Sequence, residues 1–462
     1  MTVPRDITLA NIRSHQGDPY VPCSCTLHDT YGPQEDHLAQ TLSEDDVSKE
    51  LEREKTIAEQ PPIPNGGMLA WLQVLGSFFL FFNSWGITNA FGAFQTYYNS
   101  PGGLLPTVSN SNLSWIGSLQ AFLMLVVGII TGPLYDAGYF RHLLYFGSFL
   151  VVFGMMMTSL AGNYWEVLLA QAVTIGVGSG CLFIPSVAIM PQYFTTRKVI
   201  ATGIAASGSA IAGVIYPIVF YRLQPQIGFP WTTRVLGFMM LATLSIPIAV
   251  MRVRVKAIGK RSIFDKAALK EPPYVLFTIS TFFLFAGTYI PFFYMPGYGL
   301  SIGMDPDLSF YTIAMLNAAS TFGRLLPSYI ADRAGPLNVI TPFTIITAII
   351  AFTWTAAHNL GGVIAISLLY GLFSGALVSL PPSTIVHLSP KLGAVGTRMG
   401  MTFFISGLGL LAGNPIAGAI LGSDNTGFLG VQLLCACCVL ASGILMVGSR
   451  VFKAGVHIGV RV

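Results

Sequence analysis

The sequence predicts an all-helical membrane protein, with twelve transmembrane segments arranged as two six-helix repeats. Three observations carry that expectation: the composition, the spacing of the apolar runs and a motif that recurs 196 residues apart. Of the 462 residues 53% are hydrophobic and only 10% charged, with 49 glycines and a mean hydropathy of +0.65. A soluble domain carries about 25% charged residues, so most of this chain is built for a bilayer.

Runs of about 20 apolar residues suit a hydrocarbon core. They fall near 68–92, 114–134, 142–161, 165–190, 199–220, 233–251, 274–295, 309–331, 338–356, 361–382, 398–421 and 428–448. Residues 1–67 hold 12 of the 20 Asp and Glu but only five of the 24 Lys and Arg. That segment is polar, acidic and without sustained apolar periodicity, and reads as a disordered tail. No short hydrophobic core with a small-residue cleavage site precedes the first span, which is expected to serve as its own signal. The body then divides into 68–251, a basic loop at 252–273, 274–450 and a short tail at 451–462. The loop carries Arg252, Arg254, Lys256, Lys260, Arg261, Lys266 and Lys270 against Asp265 and Glu271.

Lys and Arg also set the expected orientation. Arg141, Arg197, Lys198, the loop cations, Arg333, Lys391, Arg398, Arg450, Lys453 and Arg461 fall on one side, and Arg222 and Arg234 on the other. By the positive-inside rule both termini are cytoplasmic, with the plasma membrane as the default location.

Span 2 ends in Gly128-Ile-Ile-Thr-Gly132-Pro-Leu-Tyr-Asp136-Ala-Gly138-Tyr-Phe-Arg141, and span 8 in Arg324-Leu-Leu-Pro-Ser-Tyr-Ile-Ala-Asp332-Arg333-Ala-Gly335. Spans 5 and 11 match more loosely, through Ser207-Gly208 and Ser406-Gly407. Duplicated six-helix units point to a secondary transporter whose substrate site lies between the halves near the midplane. An aspartate at a helix end can accept hydrogen bonds from neighbouring helix N-termini. Asp136 with Arg141, and Asp332 with Arg333, are therefore candidate gating clusters.

Within the spans one cation stands out. Arg324 lies eight residues before Asp332, about 12 Å along a helix, and a charge at that depth normally faces a cavity or a partner rather than lipid. Its guanidinium can grip a carboxylate with two parallel bonds. The competing reading is a structural arginine bonded to backbone carbonyls or to Asn317 and Ser320. Asn89, Gln171 and Asn317 complete the candidate substrate-binding set. Glycines 176, 178, 180, 203, 208 and 213 in spans 4 and 5 are consistent with close, sliding helix packing.

Several function classes are excluded or disfavoured. No Gly-x-x-x-x-Gly-Lys-Ser/Thr loop is present to cradle ATP phosphates. Neither the six cysteines nor the seven histidines show metal-ligand spacing, so no metal and no cofactor is expected. Net charge +4 combines an acidic tail with a basic body and does not suggest nucleic acid. An enzyme is disfavoured because no Ser/His, paired-Asp or His-rich constellation lies at membrane depth.

The loop after span 2 resembles the Gly-x-x-x-Asp-Arg-x-Gly-Arg-Arg pattern of the major facilitator superfamily, keeping Gly132, Asp136 and Arg141 but placing Ala137 where a basic residue is common. Three further stretches resemble the fungal branch of the monocarboxylate-porter family: Asn83-Ser-Trp85-Gly86 through Tyr97-Tyr98, Met190-Pro-Gln-Tyr193-Phe194 with Gly203 through Gly208-Ser, and Asn317-Ala-Ala-Ser320 through Gly323-Arg324. That resemblance implies alternating-access transport of a monocarboxylate or acidic metabolite. Two family charges are absent, a helix 1 lysine near Asn89 and an aspartate at Ser320, which favours a neutral vitamin-like or secondary-metabolite solute and leaves proton coupling open. A non-transporting nutrient sensor on the same scaffold is the reading from another class. The expected partners are a small-molecule solute and the lipid bilayer, with no obligate protein partner.

Overall fold

In the computed structural model the described residues are 63–254, 264–389, 395–423, 427–455 and 460, excepting the side chains of Asp136 and Ser423. The expected acidic tail lies almost wholly outside them, as do the middle of the basic loop and most of the C-terminal tail. The described residues form helices and turns with no strand.

Twelve long helices follow in order. They are α1 Met68–Tyr98, α2 Asn110–Asp136, α3 Phe140–Thr158, α4 Tyr164–Tyr193, α5 198–227, α6 229–250, α7 Pro272–Ser301, α8 Pro306–Ala334, α9 Pro336–Ala356, α10 Leu360–Leu388, α11 Val395–Ser423 and α12 Leu429–Ala454. Among the described residues ten helical runs are long and apolar enough to cross a membrane, one of them being α5 and α6 together. The chain is a multi-pass integral membrane protein. The charges of Asp307, Arg324, Asp332 and Arg333 lower the hydropathy of α8.

Several helices outrun their apolar stretches. Span 1 was expected to stop near residue 92, yet α1 continues to Tyr98 because its polar end is buried in protein: the Tyr98 hydroxyl donates to Gln171 Oε1 at 2.6 Å. The gap expected between spans 5 and 6 contracts to Gly228, whose φ of 75° is a left-handed conformation that glycine adopts without strain. A neighbouring proline, Pro230, opens α6.

Four of the helix starts at the end opposite the basic loop are capped locally. Ser109, Asn163, Asp305 and Asn359 each accept backbone N–H bonds at the first turn of α2, α4, α8 and α10. The start of α5 differs, since its N-cap Arg197 supplies no acceptor. Four helices are also interrupted: α1 at Ser84 and Ala90, α4 by a π-turn over Leu168–Thr174, α7 at Tyr289 and α10 at Leu380. These are the first and fourth helices of each half. The halves meet where α2 runs along α11 and α5 along α8.

Arg398, one of the cations counted on the basic side, is only 1% exposed. The segment preceding α7 folds onto it: Arg398 Nε donates to Asp265 at 3.0 Å, and its two Nη atoms donate to Glu271 at 2.8 and 2.6 Å. The guanidinium also lies 5.2 Å from the Tyr274 ring centroid. The Arg398 hydrogen bond holds the Glu271 carboxyl below the usual carboxylate range. For Asp265 burial pushes upward, but the Arg398 bond and the N–H groups of Ala268 and Ala267 outweigh it and the net shift is downward. Stability from depressed carboxylates is fully present above their unfolded pKa of about 4 and is lost as pH falls through the lower folded values. Thermal midpoints recorded from pH 7 to pH 3 are expected to hold above about pH 4 and fall below it; Arg398→Met should flatten that acid limb.

Candidate functional site

Arg324 projects from α8 into the seam with α5 and is fully buried. Its Nη1 donates to the Ala206 carbonyl at 2.7 Å and to Ser209 Oγ, while Nε donates to Ser320 Oγ at 3.3 Å. Nη2 has no partner. Among the described residues no carboxylate lies within ion-pair distance of this guanidinium. The sequence places it beside a hydrated route; here α5 closes over it because Gly203 admits the α8 backbone, the Arg324 carbonyl lying 3.0 Å from where a Gly203 Cβ would sit.

Asn89 joins the same site from α1, at the end of the short helical piece Trp85–Asn89. Its Nδ2 donates to the Ser209 carbonyl at 3.2 Å and its Oδ1 is unpartnered. Ser209 thus ties α1, α5 and α8 together. Ser209 lies in the stretch that carries the family likeness, where nothing local marks it for a role. Asn317, two turns before Arg324, packs its amide against Gly213, where any side chain would collide, and also keeps a free Oδ1. Arg324 and Asn89 are thus linked through Ser209, and Asn317 lies against Gly213 of the same helix α5. Gln171 lies elsewhere; it accepts from Tyr98 between α1 and α4.

Tyr289 was missed altogether. It sits at the break in α7, fully buried, its ring stacked on Trp85 of α1 at 5.7 Å, and its hydroxyl has no hydrogen-bond partner. A tyrosine in an apolar run gives no sequence signal of this kind.

At the basic end, Val199 and Ile200 N–H donate to the two oxygens of Asp332 at 3.1 and 3.0 Å. The carboxylate of one half thereby caps the uncapped helix of the other, against the positive end of its dipole. Arg333 does not pair with Asp332: it turns to the surface, lies over the Tyr329 ring at 4.8 Å and donates to its hydroxyl. Arg141 bonds the Ile248 carbonyl at 2.7 Å, anchoring α3 to α6. The Asp136 side chain lies outside the described residues.

A family model described as the Major Facilitator Superfamily matches residues 74–413. The chain belongs to that superfamily. Curated relatives agree over most of their length. The chain is 46% identical over 384 residues to the MFS-type transporter dbaD of Emericella nidulans, covering 83% of this chain and 86% of that protein. It is 38% identical over 397 residues to the aspyridones efflux protein apdF of the same organism, covering 86% and 80%. To the agnestins efflux protein AgnL12 of Paecilomyces divaricatus it is 37% identical over 400 residues, covering 86% and 90%. As a facilitator-superfamily member it is a membrane transporter.

Proposed function

We propose that this transporter exports a small organic metabolite bearing one acidic group, by rocking of its two six-helix halves. The observation that carries this reading is the buried guanidinium of Arg324 without a counter-ion among the described residues. Buried charges are normally paired, and a carboxylate or acidic enol of the solute would supply the missing charge through Nη2. The efflux proteins of aspyridones and agnestins among its relatives support the outward direction and a secondary-metabolite cargo. The basic end, rich in Lys and Arg, faces the cytoplasm by the positive-inside rule, and the plasma membrane is the matching location. Asp332 on the α5 N-terminus closes that end until loading separates the halves.

Proteoliposomes loaded with labelled benzoate or benzamide test the reading. Benzoate flux should fall roughly a hundredfold in Arg324→Ala, the loss of charged hydrogen bonds worth about 3 kcal/mol, and remain low in Arg324→Lys, whose point charge lacks the planar fork. Benzoate flux unchanged in both variants would rule out the guanidinium as the anion site. Benzamide flux without benzoate flux would reassign the cargo as neutral.

A further inference from the structure

Aromatic rings from both halves meet at two helix breaks. Trp85 follows the Ser84 interruption of α1 and Tyr289 is the interruption of α7. Their rings stack at 5.7 Å with planes 24° apart. Phe285 continues the stack on Tyr289 at 6.1 Å and 15°, while Phe183 closes its edge against Trp85 at 5.9 Å. Phe183 in turn meets Phe403 of α11 at 5.4 Å. Trp85 and Asn89 are four residues apart and share one helix face; through Asn89 and Ser209 the rings are tied to Arg324.

A hydrogen-bonded hydroxyl is the usual state of a buried tyrosine. The other buried tyrosines have it: Tyr98, Tyr193, Tyr216, Tyr274, Tyr294, Tyr298 and Tyr370 each donate a hydrogen bond, and Tyr135 accepts one from Gln192. Among the described residues Tyr289 is the buried tyrosine whose hydroxyl has none, and its neighbour Thr288 also carries an unpartnered Oγ1. An orphaned buried hydroxyl carries a desolvation cost that a bound solute can remove.

We infer that Trp85 and Tyr289 form a ring-binding subsite, so that the cargo is a planar conjugated acid whose ring lies between them while its acidic oxygen meets Arg324 and the Tyr289 hydroxyl. The inference rests on the export reading above and narrows its solute class. Trp85 belongs to the first half and Tyr289 to the second, so separation of the halves parts two near-parallel faces. A flat conjugated system then fills the gap at van der Waals distance from both. A saturated ring of equal carbon count is thicker and has no π face to stack.

The test is equilibrium binding of 2-naphthoate and decahydro-2-naphthoate to the purified full chain. The wild type should favour the aromatic acid roughly tenfold. Trp85→Leu and Tyr289→Leu should each erase most of that preference, Trp85→Phe should keep it, and Tyr289→Phe should weaken both acids while preserving the ratio. Equal binding of the two acids by the wild type overturns the inference and needs no variant, as does an undiminished preference in both leucine variants. Arg324→Ala separates the two proposals: it should weaken both acids alike. If it does so while the ring preference is absent, the ring subsite fails and the anion site stands; the preference persisting with unchanged affinity in Arg324→Ala has the opposite meaning.

Discussion

Gly92→Ala is expected to hold open the end of the protein opposite the basic loop. The backbones of α1 and α7 approach so closely there that a Cβ on Gly92 would overlap the carbonyl oxygen of Phe292, an atom that cannot rotate away. Overpacking costs about 1–3 kcal/mol, and here the halves can relieve it by separating. The closed population should fall roughly tenfold. A cysteine at Ser111, whose hydroxyl bridges to the Pro415 carbonyl across the same closure at 3.0 Å, reports on it. In Ser111→Cys, maleimide labelling by an impermeant reagent should accelerate about tenfold on adding Gly92→Ala, with transport reduced to a similar degree. At the basic end a Cβ on Gly203 would meet the Ser328 Cβ at 2.6 Å and the Arg324 carbonyl oxygen at 3.0 Å, so Gly203→Ala is expected to pry that end open in the same way. Unchanged labelling and flux in Gly92→Ala would show that this α1–α7 approach is not a seal.

Loss of both carboxylates around Arg398 is the second large effect expected. Asp265→Asn with Glu271→Gln leaves a guanidinium that is 1% exposed facing neutral amides. Removing the partners of a buried charge costs about 3–5 kcal/mol; residual amide hydrogen bonds and the partial exposure of Glu271 place the expected loss near the lower figure, about 3 kcal/mol. The thermal midpoint in detergent should drop by several degrees at pH 7. Adding Arg398→Met to the double variant should restore much of it, because an apolar side chain replaces an unpaired charge. A triple variant no more stable than the double would show that the charge itself is not the source of the loss.

How much of this was legible beforehand varied with the range of the interaction. The deep position of Arg324 follows from eight residues of helix before Asp332 and from the apolar run around it. Asn89 and Asn317 read as polar residues at membrane depth, and both turn toward α5, Asn89 to the Ser209 carbonyl and Asn317 to Gly213. Gln171 shared that description but went to Tyr98, since depth does not specify which face of α4 turns inward, and a π-turn at Leu168–Thr174 re-phases that face. An aspartate at the end of α8 is expected to accept from a neighbouring helix N-terminus, as Asp332 does, but its grouping with Arg333 does not extend to a contact, because consecutive helical residues do not face one another. The aspartate found the α5 N-terminus and the arginine found Tyr329.

The sequence by itself determined that this chain crosses a membrane repeatedly and does so as two related halves. A bilayer core offers no water to unpaired backbone groups, so helix formation there follows from local hydropathy with little help from distant residues. Only the tertiary structure decided that Arg324 reaches Ser209, that Arg398 is enclosed by Asp265 and Glu271, and that the Tyr289 hydroxyl has no partner. Each depends on residues more than a hundred positions apart in the chain or, for Tyr289, on what every surrounding helix fails to present. Such pairings are fixed by how helices rotate and pack against each other, which a linear pattern of apolar runs does not encode.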